Sequence, residues 1–344
     1  VFGGMSRRSV GTSPNVGGCT FFRYDGSRAL SQVQQSFPPS ASSNLYYGNG
    51  VYASNGLLFV SDSRTVNGLA FAGKVEVYEH NTSTNQWDLI QTIANPDPAN
   101  GENFGQVVIL DGQYAYISSP GRPNRGTVGH FSIYEWDGSQ FFFRHSELSP
   151  RNVNAELFGH SMDLMADTLY VGAHAFDSLF QNTGIIYKYV INNIRSDALL
   201  NDVFDAPVQA NEQRFGGHIK VINGELFTST GEAGAQTAYQ LDPSNGDVIQ
   251  IFPNVRGVDF VGNRHFIIMG NTDLTGASPP NLQVYSRRFF SDDWHNLVDL
   301  TRVGADNNDR FGGSLDMKPG LMAVAEDHYD SSSPFLSIRG RCLP

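Results

Sequence analysis

The chain has 344 residues, a formal net charge of −11 and a pI near 5.2. This acidity excludes nucleic acid and anionic membrane surfaces as expected partners, because both repel a protein of the same charge. No apolar run approaches the ~20 residues that a membrane-spanning helix needs, so we expect no membrane insertion.

An apolar run that ends in a pair of small residues recurs seven times along the chain. The third residues of these runs are Gly3, Ser61, Ser118, Gly172, Ser229, Met269 and Ala325, at spacings of 58, 57, 54, 57, 40 and 56 residues. An aromatic-glycine step stands upstream of most copies, at Tyr47-Gly48, Phe104-Gly105, Phe158-Gly159, Phe215-Gly216 and Phe311-Gly312. A period held over the whole chain indicates a repeat architecture.

Each repeat predicts four short antiparallel strands. Tight turns such as Asn55-Gly56, Asp111-Gly112 and Asn223-Gly224 join the first two strands, because Asn-Gly and Asp-Gly favour hairpins. A third strand alternates apolar residues, as in Lys74-Val75-Glu76-Val77-Tyr78, and a fourth follows, as at Trp87. Together these features predict an all-β chain, a seven-bladed β-propeller of four-stranded antiparallel blades.

We expect one propeller domain over residues 1–344, with terminal blades that are incomplete in this chain. The predicted blades are 1–43, 44–100, 101–150, 151–208, 209–252, 253–303 and 304–344. Three explanations for the missing strands stay open: a fragment of a longer product, three-stranded terminal blades, or a strand from a neighbouring molecule.

The two cysteines, Cys19 and Cys342, stand near opposite ends of the chain. In a closed ring the ends are neighbours, so a disulfide between them is one hypothesis and two unrelated buried thiols are the other. Asn81-Thr82-Ser83 is a glycosylation sequon in the turn between a third and a fourth strand, which an extracellular protein would expose.

The aromatic-glycine step, the short hairpin and the Tyr-ended third strand resemble the FG-GAP repeat family, which includes the N-terminal propellers of integrin α subunits. The best matches are 104–134, 158–187 and 215–239, and kelch repeats are the second choice. The resemblance implies an extracellular or cell-surface interaction module. Many FG-GAP propellers bind calcium through an acidic loop between the first two strands, but the tight turns here carry at most one acid each.

No cofactor and no metal site is therefore predicted, with Glu326, Asp327 and Asp330 as weak metal candidates in one acidic loop. The chain has no nucleophile motif of the Gly-x-Ser-x-Gly type and no His-Glu-x-x-His, so no catalytic residue and no enzyme activity is expected. Trp87, Phe141 and Trp294 recur at one place in the repeat and predict packing between blades, whereas Trp136 breaks this pattern.

We predict a non-catalytic structural or adhesion module that binds proteins, copies of itself or other matrix and surface proteins, through the loops between second and third strands. The alternative is a carbohydrate-binding lectin, with glycans as partners. The residues predicted to form the binding face are Asp62, Arg64, Arg122, Arg125, His174, Asp177, Asn271 and Asp273.

Overall fold

The structure of the chain is a computed structural model. It describes residues 2–4, 19–24, 30–36, 47–54, 56–62, 68–121, 126–153, 156–191, 198–230, 237–255, 257–271, 281–290, 292–301, 311–318 and 321–326. These residues form strands, turns and loops. Within these ranges, no helix has the length and apolar character that a membrane crossing requires.

The strands fall into seven sheets, and strands that follow one another in sequence are neighbours within each sheet. The first three sheets are β1 (Phe2–Gly4), β2 (Cys19–Tyr24) and β3 (Leu30–Ser36); β4 (Tyr47–Ser54), β5 (Leu57–Asp62), β6 (Lys74–Asn81) and β7 (Gln86–Ala94); and β8 (Val108–Asp111), β9 (Tyr114–Ser119), β10 (His130–Trp136) and β11 (Phe141–Leu148).

The next two sheets are β12 (Ser161–Met165), β13 (Thr168–Ala173), β14 (Ile185–Ile191) and β15 (Ala198–Asp205); and β16 (His218–Ile222), β17 (Glu225–Ser229), β18 (Thr237–Leu241) and β19 (Val248–Pro253). The last two are β20 (Gly257–Gly262), β21 (Phe266–Asn271), β22 (Asn281–Ser286) and β23 (His295–Thr301); and β24 (Phe311–Lys318) with β25 (Leu321–Glu326). Five sheets thus have the four strands predicted. In the described part of the chain, the first has three and the last has two.

The predicted hairpins form, with one correction in the turn position. Asn223 and Gly224 have φ values of 51° and 81°, which is the conformation that a two-residue turn of this type demands. Asp111, predicted to lie in a turn, instead pairs with Tyr114 as the last residue of β8, so the turn moves to Gly112 and Gln113.

The chain divides into two compact units. Unit 1 is Val1–His160 with Ile191–Leu199, and unit 2 is Ser161–Val190 with Leu200–Pro344. In unit 1, a core between adjacent sheets contains Phe59 and Val77 of one sheet and Ile117 and Phe141 of the next, all buried. The rings of Phe59 and Phe141 lie 5.3 Å apart, edge to face.

Unit 2 has the same construction. Phe227 and Phe252 pack with Met269 and Trp294 of the following sheet. A buried ion pair spans these two sheets, because Nη1 of Arg287 lies 2.8 Å from Oε1 of Glu225. The Arg287 guanidinium also lies 4.0 Å from the Trp294 ring centroid. Such a pair is tolerated in the interior because both partners are hydrogen-bonded.

At two junctions, one in each unit, an aromatic-glycine step bonds a sheet to the preceding one. Phe104 N donates to Ala72 O at 3.1 Å, and in unit 2 Phe215 N donates to Thr183 O at 3.0 Å. An asparagine four residues before each phenylalanine closes the same contact: Asn100 Oδ1 accepts from Ala70 N and Asn211 Oδ1 from Gln181 N. An asparagine also stands four residues before Phe158 and Phe311, at positions 154 and 307.

The recurring aromatic residues at the start of fourth strands do pack between blades, as predicted. In addition, a glutamine on the last described strand of the preceding sheet makes two hydrogen bonds to the backbone of each. These glutamine clasps join Gln34 to Trp87, Gln91 to Phe141 and Gln250 to Trp294.

Cys19 is a fully buried free thiol, and burial raises its pKa to about 12. The predicted disulfide to Cys342 is therefore not supported, and Cys342 itself lies outside the described residues.

Candidate functional site

The predicted binding-face residues differ in their exposure. Asp62, at the end of β5, and His174, after β13, are buried, with 5% and 8% of their surfaces exposed. Asp177 is on the surface, where its Oδ1 accepts from Asn182 N at 2.7 Å and closes a loop. Asn271 is the last residue of β21. Arg64, Arg122, Arg125 and Asp273 lie outside the described residues.

The glycosylation candidate Asn81 is the last residue of β6 and pairs with Gln86, so Thr82 and Ser83 lie in the predicted turn and Asn81 stands one residue before it. Its Oδ1 accepts from Ser83 N at 3.0 Å and its Nδ2 donates to Asp88 Oδ2 at 2.8 Å. Of the weak metal candidates, Glu326 is the last residue of β25, and Asp327 and Asp330 lie outside the described ranges. Among the residues that the structure describes, no group of three or more His, Cys, Asp or Glu is placed to hold a metal ion.

A polar cluster gathers around Glu76 in unit 1, at the end of the strands where the second and third strands of the repeat are joined. The alternation of β6 places Lys74, Glu76 and Tyr78 on one face of the sheet. Asp62 pairs with Lys74 across β5 and β6, and Tyr47 begins β4. We call these five residues the Glu76 cluster.

The hydrogen bonds of the Glu76 cluster converge on one carboxylate. Oε2 of Glu76 accepts from the hydroxyls of Tyr47 and Tyr78, each at 2.8 Å. Oε1 accepts from Nζ of Lys74, also at 2.8 Å. The same ammonium lies 3.8 Å from Oδ2 of Asp62, so one lysine stands between two acids.

Solvent reaches the cluster through the lysine. The Lys74 side chain is 21% exposed, whereas the side chains of Asp62 and Glu76 are each 7% exposed. Buried ionised groups interact more strongly than the same groups in water, because the local dielectric is lower. The cluster therefore offers an ammonium at the surface and a carboxylate directly behind it.

The Glu76 cluster is also a departure from the repeat. The strand registers place Ser132, Tyr187, Tyr239 and Gln283 at the position equivalent to Glu76 in the other described four-stranded sheets. None of these is an acid. A residue that the repeat does not need for packing is a candidate for a specific role.

The sequence predicts a binding-face position for Asp62 and a strand over Lys74 to Tyr78, but it does not predict a site at Glu76. The missed signal was an acid in the interior of an alternating strand, beside one of the few lysines of the chain. Such an acid is expensive to bury without partners. Its partners Tyr47 and Tyr78 come from two different strands, so the sequence alone did not connect them.

A second polar cluster, the His130 cluster, contains Asn95, Glu102 and His130 of unit 1. Nδ2 of Asn95 lies 2.6 Å from Oε2 of Glu102 and 3.2 Å from Nε2 of His130. Oε2 of Glu102 also accepts from Ala99 N at 2.9 Å. All three side chains are buried.

Burial is the main influence on both ionisable groups of the His130 cluster. It lowers the pKa of His130 to about 4, against a smaller opposing effect of the Val128 backbone. It raises the pKa of Glu102, although hydrogen bonds from Ala99 and Asn95 lower it. In the next repeat, Glu156 and Ser149 make an equivalent contact, so this cluster belongs to the framework of the repeat.

No protein-family model matches the sequence, and no curated protein matches it significantly. Solved structures do resemble the fold. A protein of Bacteroides uniformis, provisionally named a 6-phosphogluconolactonase, aligns with a TM-score of 0.63 at 9% identity, covering 98% of this chain and 94% of its own. A protein of Bacteroides fragilis with the same provisional name aligns at 0.64 and 10% identity, covering 98% and 93%. Hsv2 of Kluyveromyces lactis aligns at 0.52 and 9% identity, covering 91% and 85%.

These neighbours are β-propeller proteins, and the fold prediction is confirmed: the chain is an all-β protein of the β-propeller class. The functional prediction needs correction. A non-catalytic extracellular interaction module, with a lectin as its alternative, was expected, but both Bacteroides neighbours carry the name of an enzyme. At identities near 10%, the likeness establishes the fold of this chain.

Proposed function

We propose that this chain is a propeller hydrolase that opens a small ester or lactone, with the Glu76 cluster as its acid–base centre. The observation that carries the proposal is the position of Lys74, which lies 2.8 Å from Glu76 and 3.8 Å from Asp62 and is the most exposed member of the three. The provisional name of the two Bacteroides neighbours supports a sugar lactone as the substrate class.

The proposed reaction uses one water molecule. The Asp62 carboxylate accepts a proton from that water as its oxygen attacks the lactone carbonyl carbon. The Lys74 ammonium donates a hydrogen bond to the carbonyl oxygen, which becomes an oxyanion. The intermediate then collapses, the ring C–O bond breaks, and the leaving alkoxide takes the proton back from Asp62. The product is the open hydroxy acid.

Glu76 has a positioning role in this scheme. Its carboxylate is held by the hydroxyls of Tyr47 and Tyr78 and in turn fixes the Lys74 ammonium beside Asp62. Pre-organised donors act on the transition state without reorganisation, so the order of this cluster contributes to the rate.

The test is hydrolysis of glucono-δ-lactone and its 6-phosphate by the purified chain, measured by acid release at constant pH. Asp62→Asn removes the base and keeps the shape, so we expect kcat to fall at least ~100-fold. Lys74→Met removes the oxyanion donor and is expected to have a similar effect. Glu76→Gln should lower kcat by a smaller factor, because Tyr47 and Tyr78 still hold the side chain.

Two matched controls come from unit 2. Lys188→Met removes a surface lysine whose Nζ bonds Ser244 O, and Asp177→Asn removes a surface acid while keeping its acceptor oxygen. Both variants should hydrolyse the two lactones at the wild-type rate. The proposal is wrong if neither lactone is opened above the uncatalysed rate, or if Asp62→Asn hydrolyses as fast as Asp177→Asn.

The FG-GAP resemblance stays a prediction. What supports it is the recurring contact in which the phenylalanine of the aromatic-glycine step pairs with the glycine that precedes a third strand, at Gly73 with Phe104 and at Gly184 with Phe215. The predicted extracellular location, the protein partners and the single-domain organisation also stay predictions.

A further inference from the structure

A cavity opens in unit 1 between the second and third sheets, at the strand ends away from the Glu76 cluster. Its walls include Leu57, Leu110 and Phe141, with Trp136 and Glu79 beside them. We call it the Trp136 cavity. Leu57 pairs with Glu79 and Asp62 pairs with Lys74, so the two sites stand at opposite ends of the same strand pair, about 17 Å apart along the strands.

Trp136 gives the cavity an aromatic wall. Its ring lies 4.9 Å from the Phe141 ring at an interplanar angle of 47°, and the cross-strand pairing of these two residues fixes that position. Trp136 is partly exposed and lines the cavity, and it stands outside the position at which Trp87, Phe141 and Trp294 recur in the repeat. Its ring therefore has exposed surface that a ligand in the cavity can contact.

The charge at the cavity is negative. Glu79 is exposed and is the one ionisable side chain among the described residues that line the cavity. It stands directly opposite Asp88 in the β6–β7 register, and like charges in that relation repel one another. A bound cation would relieve this repulsion. An anionic ligand would add to it, in a chain whose net charge is already −11.

An aromatic ring, apolar walls and a carboxylate together match one class of ligand. A methylated ammonium group attracts the face of an indole ring, keeps its charge without needing hydrogen-bond acceptors, and fills an apolar space with its methyl groups. We propose that the Trp136 cavity binds a small trimethylammonium compound. The Trp136 ring would contact the cationic head group, and Glu79 would supply the opposite charge.

The experiment titrates choline and its neutral isostere 3,3-dimethylbutan-1-ol into the full chain, with calorimetry as the readout. Choline should bind at least ~10-fold more tightly than the isostere, because the two differ in charge and share a shape. Equal affinities, or no choline binding at millimolar concentrations, would overturn the proposal.

Two variants locate the binding site. Trp136→Leu should weaken choline binding at least ~10-fold. Glu79→Gln, an exposed change that keeps the side-chain shape, should weaken it by a factor of about 5 at low salt and should not impair folding. Trp136→Phe keeps an aromatic ring and should retain part of the affinity, which separates loss of the ring from loss of the fold.

The control is Lys188→Met in unit 2, which should bind choline as the wild type does. If Glu79→Gln and Trp136→Phe both bind like the control, the ligand does not occupy this cavity and the proposal fails. Glu79→Gln should also leave lactone hydrolysis unchanged, so the outcome is independent of the proposed hydrolase activity.

Discussion

Gly73 shows how a single residue limits the distance between neighbouring sheets. It immediately precedes β6 with φ of +83°, and a Cβ atom there would stand 2.3 Å from Phe104 O and 2.6 Å from Phe104 N. Real Cβ atoms do not approach backbone that closely. The position therefore needs glycine for two reasons, the left-handed backbone and the contact with the aromatic-glycine step.

We expect Gly73→Ala to lower the free energy of unfolding by about 3 kcal/mol or more, since strain in a left-handed backbone costs about 1–2 kcal/mol and the steric conflict adds to it. Gly68→Ala is the matched control, because Gly68 has φ of +84° and open space around its Cβ position. Gly68→Ala should lower the free energy of unfolding only by the strain of the left-handed backbone, about 1–2 kcal/mol. Urea denaturation of both variants measures the difference, and equal losses would mean that the Phe104 contact is irrelevant.

The fourth strands show how an element is fixed by side chains as well as by its ladder. Gln91 of β7 donates from Nε2 to Phe141 O at 2.6 Å and accepts from Phe141 N at 2.7 Å. The amide group acts as a short piece of strand, and it joins the outer edge of one sheet to that of the next. The same device at Gln34 and Gln250 makes it a regular part of the repeat.

Gln91→Ala should destabilise the chain by about 1–3 kcal/mol. Two partly buried hydrogen bonds are lost, and the Phe141 backbone N–H and C=O must then bond to water. Gln86→Ala tests the same substitution at an exposed position of the same strand and should change stability by less than about 0.5 kcal/mol. Thermal and urea unfolding compare the two. If both variants match the wild type, the clasp contributes nothing to stability.

At the scale of the whole molecule, the pH dependence of the unfolding free energy reports on His130. Its pKa falls to about 4 on folding, from an ordinary value near 6.5. Between these values the unfolded chain binds the proton and the folded chain does not, so stability is lost as the pH falls from about 6.5 towards 4. Glu102, with its raised pKa, acts with the opposite sign above pH 4.5.

For His130 alone, the free energy of unfolding falls by about 2 kcal/mol between pH 7 and pH 5. His130→Gln removes this contribution, so the variant should lose about 2 kcal/mol less than the wild type over the same interval. Urea denaturation at the two pH values measures both losses. Parallel pH curves for wild type and variant would show that His130 does not titrate as its burial requires.

Much of the fold follows from local sequence. Alternation along β6 and β10, the Asn223-Gly224 turn and the spacing of the aromatic-glycine steps predicted four-stranded blades correctly. Each of these signals acts through neighbours in the chain, since a turn needs its own φ values and a strand needs only one apolar face.

The sites required the tertiary structure. Glu76 and Tyr78 are two residues apart, but Tyr47 reaches the same carboxylate from another strand of the sheet. The Trp136 cavity likewise forms where β6 of one sheet meets β8 and β10 of the next. Period and turn chemistry determined which strands form. The burial of an acid and the shape of a cavity depend on which side chains meet across strands and sheets, and only the packing of those strands and sheets decided that.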